Sequence, residues 1–122
     1  MLNVIHFEIC VDDLESAAIF YANVFDWRIE PIEDGSEYWS IRPAEDPVKG
    51  IPGGLSPRYD EQNSTINTIE VPSLDSYADK ITENGGRVLA PKISIPDEGY
   101  VQYCNDPEGN TFGIMEKDKS AQ

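Results

Sequence analysis

The chain repeats itself at an offset of 60 residues. Setting Val11 against Val71 also sets Leu14 against Leu74 and Ala18 against Ala78. In each copy an alternating, strand-like run passes a capping residue, enters a helical run and continues into short strands. Each copy therefore reads strand-helix-strand-strand-strand. The first spans 1–58 and the second 64–117, with a linker at 59–63 and a short tail at 118–122. A repeat of this length limits the possible folds more than any local pattern, because each copy must supply one complete supersecondary unit.

Local patterns fill in the two copies. In "VIHFEICV" the odd positions Phe7, Ile9 and Val11 are apolar, and His6, Glu8 and Cys10 fall on the other face. That pattern suits a strand covered by a helix on one side and facing a polar surface on the other. Asp12 or Asp13 can cap the next helix, where Leu14, Ala17, Ala18, Tyr21, Val24 and Phe25 keep helical spacing. Short strands are predicted in "WRIEPIEDG", in "SEYWSIRP" and over 53–58, with loop at 44–49. In the second copy Ile69 and Val71 share one strand face, and Ile66, Thr68 and Glu70 the other. Ser73 can cap a helix over 74–84 that Gly85-Gly86 ends. "RVLAPKISI", "GYVQYCND" and "GNTFGIMEK" complete the copy, with Asp106-Pro107-Glu108-Gly109-Asn110 as turn chemistry.

Composition excludes several classes. Twenty-three acidic and 9 basic residues give a formal charge of −14, which repels nucleic-acid phosphates and anionic membranes. It suits a cationic ligand, or simply a solvated surface. No apolar run reaches the ~18 residues of a membrane span, and the first residues lack the pattern of a secretion signal. Cys10 and Cys104 are no disulfide framework; both are expected as buried, reduced thiols in a cytoplasmic protein.

"DDLESAAIFYANVFDW" early, "GGLSPR" mid-chain and "GGRVLAPKISIPDEGYVQYCNDPEGNTFGIME" at the end resemble the vicinal oxygen chelate superfamily. This is the group of glyoxalase I, bleomycin-resistance proteins, extradiol dioxygenases and fosfomycin-resistance enzymes. The closing motif is most similar to the glyoxalase-like branch related to lactoylglutathione lyase. The resemblance implies an α+β fold in which two βαβββ modules form curved mixed sheets around a cleft. It also implies a homodimer, and in the metal-dependent members a divalent ion held by one residue from the first and one from the last strand of each module.

Carried over by position, the ligand sites of the family fall on His6, Gly54 (or Gly53), Ile66 and Gly113. One of the four bears a ligating side chain, and a lone histidine does not hold a catalytic ion. No metal or other cofactor is expected. Gly54 and Gly113 are expected to leave the cleft open, with room for the flat face of a ligand. A divalent metal is expected only through a relocated, oxygen-rich site, which His6, Glu8 and Glu70 could form. The extradiol dioxygenase chemistry needs two histidines, and the chain has one.

Two functions remain open. One is a binder of a small organic molecule, like the bleomycin-resistance members, with Cys10, Gly54, Thr68, Tyr103 and Gly113 lining the site. The other is a lactoylglutathione-lyase-related lyase or isomerase, in which His6 with Glu8 or Glu70 moves a proton beside a carbonyl. Tyr38, Trp39, Tyr59, Tyr100 and Tyr103 could supply an aromatic wall, although alternation sets Tyr38 against Trp39 and Tyr100 against Tyr103. A Cys10–His6 nucleophilic pair is disfavoured, because four residues along a strand span about 13 Å.

Overall fold

The computed structural model describes residues 1–34, 36–43, 50–58 and 64–122. The predicted loop at 44–49, the linker at 59–63 and Tyr59 lie outside them. The elements run β1 (Val4–Val11), α1 (Leu14–Phe25), β2 (Arg28–Pro31), β3 (Trp39–Arg42), β4 (Gly53–Pro57), β5 (Thr65–Glu70), α2 (Leu74–Glu83), β6 (Arg87–Val88), β7 (Ile93–Ile95), β8 (Gly99–Asn105) and β9 (Thr111–Lys117). The class is α+β, and two compact units divide the chain: His6–Ile66, and Met1–Ile5 with Asn67–Gln122.

In the His6–Ile66 unit the strands lie in the order β2-β3-β4-β1. The β1–β4 pair is parallel, with Glu8 opposite Gly54 and Cys10 opposite Ser56; the β2–β3 and β3–β4 pairs are antiparallel. Alternation along β1 then sorts its side chains as predicted. Phe7, Ile9 and Val11 pack with Leu14 and Ala17 of α1 around buried Ala18, Ile41 and Leu55. Leu55 is fully buried, a contribution of about 1.5–3 kcal/mol by transfer alone. The helix starts where its first turn finds an acceptor: Asp13 Oδ1 takes the Ser16 N–H at 3.0 Å. Asp12, the other candidate cap, pairs with Arg58 Nε at 3.2 Å instead.

Two residues of α1 depart from expectation. Val24 and Phe25, read as part of its core face, are 54% and 53% exposed. Val24 projects outward, and the Phe25 ring lies beside Tyr21 and Trp27 at 6.3 and 5.3 Å rather than beneath the helix.

The other unit repeats the plan, with order β5-β9-β8-β6 and β7 on β8. Here β5 and β9 are parallel, and Thr68 stands opposite Gly113. Buried Val71, Leu74, Cys104 and Ile114 form the core, with Tyr77, Ile81, Tyr100 and Phe112 against it. Ser73 caps α2 by accepting the Ser76 N–H at 3.3 Å, as its position predicts, and Glu116 Oε1 accepts the Leu74 N–H at 2.7 Å. The 106–110 turn is structural: Asp106 Oδ1 accepts from the Glu108 and Asn110 N–H groups, each at 2.9 Å. Both cysteines are free and buried. No helix of the described residues is long and apolar enough to cross a membrane.

Candidate functional site

The polar face of β1 is where the His6–Ile66 unit concentrates its chemistry. A residue of β1 that does not face α1 must find partners on the opposite side, and His6 finds Tyr38. Its Nε2 lies 2.9 Å from the Tyr38 hydroxyl, with the two rings nearly parallel at 23°. Burial holds the imidazole below its ordinary pKa of 6.5, so His6 is neutral at pH 7. Burial, and then the nearby Glu8 carboxylate, push the Tyr38 phenol well above its usual value, so Tyr38 keeps its proton. Both partners are neutral, and each can donate or accept according to the imidazole tautomer. Glu8 itself is buried at 8% exposure on the same face.

Glycine makes this arrangement possible. A Cβ at Gly54 would overlap the Tyr38 hydroxyl oxygen, so the phenol occupies the volume that a side chain at 54 would need. A Cβ at Gly53 would meet the Phe7 ring at 2.5 Å on the opposite face. Two successive glycines thus let one aromatic ring lie against each side of β4. This corrects the expectation of open room at Gly54: Tyr38 already fills it.

Gly113 is corrected in the same way within its own unit. A Cβ there would come 2.8 Å from Thr68 Oγ1, so a buried threonine hydroxyl covers it. Tyr103 is half-buried on β8, opposite Gly113. Glu70 reaches Lys117 Nζ at 3.7 Å, an ordinary ion pair on the edge of its strand. Cys10, 4% exposed, accepts a weak hydrogen bond from the Ser56 hydroxyl at 3.7 Å. Of the aromatic candidates, Trp39 packs against the Ile41 and Leu55 core, and Tyr100 against the Leu74 and Cys104 core beneath Lys92 at 5.3 Å. The predicted opposition of Tyr38 and Trp39 is what sends one to His6 and the other to the core.

Gly54 and Gly113 offer no ligating side chain, and Tyr38 engages the Nε2 of His6. Among the described residues no three His, Cys, Asp or Glu side chains group as an ion site. The partner of His6 was not assigned from sequence. Two signals pointed to it: the parity that sets Tyr38 opposite Trp39, and a glycine whose missing side chain has to be replaced by something.

With this geometry in hand, comparison with known proteins gives the family. The sequence profile of the Glyoxalase/Bleomycin resistance protein/Dioxygenase superfamily matches residues 3–114. The chain belongs to that superfamily. It is 27% identical over 111 residues to CFP32 of Mycobacterium tuberculosis (strain CDC 1551 / Oshkosh), whose name gives it provisionally as a glyoxylase. That match covers 88% of this chain and 42% of CFP32, so the chain spans less than half of that relative. A glyoxylase-like domain-containing protein of Didymella fabae is 29% identical over 116 residues, covering 88% of both chains. Among solved structures, the methylmalonyl-CoA epimerase of Mycobacterium tuberculosis superposes with a TM-score of 0.68 at 17% identity, over 94% of this chain and 87% of that one. At that identity the likeness shows the fold alone. The chain is thus a glyoxalase-like member of its superfamily.

Proposed function

We propose that this superfamily member binds a small organic molecule on the polar face of the His6–Ile66 unit, without a metal ion. The observation that carries the reading is the His6–Tyr38 hydrogen bond laid over Gly54. It puts two neutral hydrogen-bonding groups, next to the Glu8 carboxylate, where the metal-dependent members would place ligands. A neutral imidazole and phenol orient a polar group by hydrogen bonding, and a buried carboxylate favours a ligand that donates hydrogen bonds or carries positive charge. The net charge of −14 supports the same preference by raising the local concentration of cations.

The experiment is calorimetry on chelator-treated protein with bleomycin, a cation, and methylmalonyl-CoA, an anion. Binding of bleomycin that Tyr38→Phe weakens by about tenfold, the cost of one hydrogen bond to a polar partner, supports the reading. Binding that appears only after zinc is restored overturns it.

One observation favours a second reading. His6 is held neutral and is therefore a competent base at pH 7, with a phenolic O–H beside it. In that reading His6 Nδ1, the ring nitrogen that Tyr38 does not engage, takes a proton from a carbon next to a carbonyl and returns it, while Nε2–H donates to the Tyr38 oxygen and holds the imidazole. Incubation of metal-free protein with methylmalonyl-CoA in D2O separates the two readings. Deuterium at the acidic carbon, absent in His6→Gln, marks proton transfer; binding without exchange marks a binder.

A further inference from the structure

We propose that Arg28 and Arg42 form an oxyanion subsite on the ligand face, and that the ligand is a small dipolar molecule. One end carries an ammonium or other hydrogen-bond donor, the other a carboxylate or phosphoryl group. The inference rests on the reading of the Tyr38 face as a ligand site and adds a second anchor to it. It starts from the register of β2 on β3. Arg28 lies directly opposite Arg42, and the next opposed pair, Ile29 and Ile41, belongs to the core. Alternation therefore turns both arginines to the other face, the one that the Tyr38 phenol covers. Both are exposed, and both belong to the His6–Ile66 unit.

Like charges set directly opposite each other on antiparallel strands repel. The chain has four arginines and 23 acidic residues, yet two of the four face each other. Among the described residues Arg58 pairs with Asp12, whereas neither Arg28 nor Arg42 has an ion pair, although Glu30 lies on the same face two residues from Arg28. An oxyanion between the two guanidinium groups replaces that repulsion with charge-assisted, forked contacts.

The pair also lies in line with the site. Gly53 stands opposite Phe7 of β1 and opposite Ile41 of β3. One residue further along, His6 and Arg42 share a transverse row of the sheet, two strands or about 10 Å apart at the backbone. An arginine side chain spans much of that gap, and a molecule of a few heavy atoms spans the rest.

Charge selects a dipolar ligand over a plain anion. A net −14 repels anions at long range, and the two arginines reverse that sign over part of one face only. A molecule without net charge escapes the repulsion. Its oxyanion goes to the arginines, and its donor to the side of the face that holds Glu8, His6 and Tyr38.

NMR of the four arginine Nε–H groups and the His6 ring nitrogens, on the full chelator-treated chain, tests the proposal. Arg28→Gln and Arg42→Gln assign two of the signals and, at exposed positions, are expected to leave the thermal melt unchanged. The probes are phosphoethanolamine, β-alanine and inorganic phosphate. At least one of the dipolar probes is expected to move the Arg28, Arg42 and His6 signals in one saturable titration at about 0.1–10 mM, with Arg58 and Arg87 unmoved. The tighter of the two identifies the oxyanion as phosphoryl or carboxylate. Each glutamine variant is expected to weaken that binding about tenfold or more, and Arg42→Lys, which keeps the charge without the fork, to weaken it nearly as much. Inorganic phosphate, lacking the donor end, is expected to bind at least about tenfold more weakly than the better dipolar probe and to leave His6 unmoved. An equal shift of all four arginines, no saturable shift at Arg28 and Arg42, or unchanged binding in both glutamine variants overturns the proposal. So does movement of the arginines without His6, or phosphate binding as tightly as the dipolar probes. Bleomycin binding that depends on Tyr38 while the arginines stay silent defeats this inference alone and leaves the ligand reading standing.

Discussion

The two units share one plan and spend it differently. Each has a first strand, a capped helix, a parallel partner strand and a glycine on that partner strand. In the His6–Ile66 unit that glycine lies under Tyr38, whose hydroxyl is tied to the only histidine. In the other unit Gly113 lies under Thr68, and the second carboxylate candidate, Glu70, is paired with Lys117. The helices differ too. α1 has one charged residue in twelve; α2 has Asp75, Asp79, Lys80 and Glu83 in ten. Its N-terminus is satisfied by both Ser73 and Glu116, where α1 has Asp13. Two copies of one plan thus keep similar packing, while one gathers titratable groups on the polar face of its first strand and the other covers the equivalent face with neutral or paired groups.

The largest effects should come where the copies are alike. Leu55→Ala and Leu74→Ala each delete a side chain buried to 1% exposure or less, and each is expected to cost about 2–5 kcal/mol in denaturant unfolding. A small loss at either would break the equivalence of the two cores.

Next come the glycines, where the copies should part. Gly54→Ala places a methyl where the Tyr38 oxygen lies and must push the phenol off His6. A cost of about 1–3 kcal/mol is expected, with loss of ligand binding. Gly113→Ala meets Thr68 Oγ1 at 2.8 Å, a smaller clash that a threonine rotamer change relieves, so about 1 kcal/mol or less should be lost. Equal costs, or a Gly54→Ala protein that binds normally, would remove the distinction.

Caps are a smaller test. Asp13→Ala and Ser73→Ala should each lose about 1 kcal/mol, with Ser73→Ala the milder because Glu116 still accepts the Leu74 N–H.

The smallest expected effect is a pH dependence specific to the His6–Ile66 unit. The folded pKa of His6 lies below 6.5, so between that folded value and 6.5 the unfolded chain binds more protons than the folded one. Stability from this group is complete above pH 6.5 and falls as pH drops toward the folded pKa. Unfolding midpoints of wild type and His6→Gln across pH 5 to 8 should therefore converge on the acid side; parallel curves would contradict the buried, neutral imidazole.

Much of the fold was legible because it was written twice. The 60-residue repeat, the alternation of Phe7, Ile9 and Val11, and the caps at Asp13 and Ser73 all express local periodicity that packing then obeys. The site was harder to read. His6, Glu8 and Cys10 could be placed on one strand face, but the filling of Gly54 by Tyr38 depends on β3 lying antiparallel to β4, with Ser40 opposite Gly54. An absent side chain reads as empty space in a sequence; in the fold the neighbouring strand decides what enters it. Val24 and Phe25 failed for a related reason: helical spacing identifies apolar faces but not how many of them the chain itself covers.

His6 is a neutral imidazole bonded to Tyr38, and the proposed site uses it as a hydrogen-bonding group without a metal ion. Since the chain has a single histidine, nitrogen NMR of the labelled ring reports on it alone. At pH 7 one neutral tautomer is expected, with an Nε2 shift that moves in Tyr38→Phe and no change on adding stoichiometric zinc. Nε2 moving to a zinc-bound shift at one equivalent would contradict it.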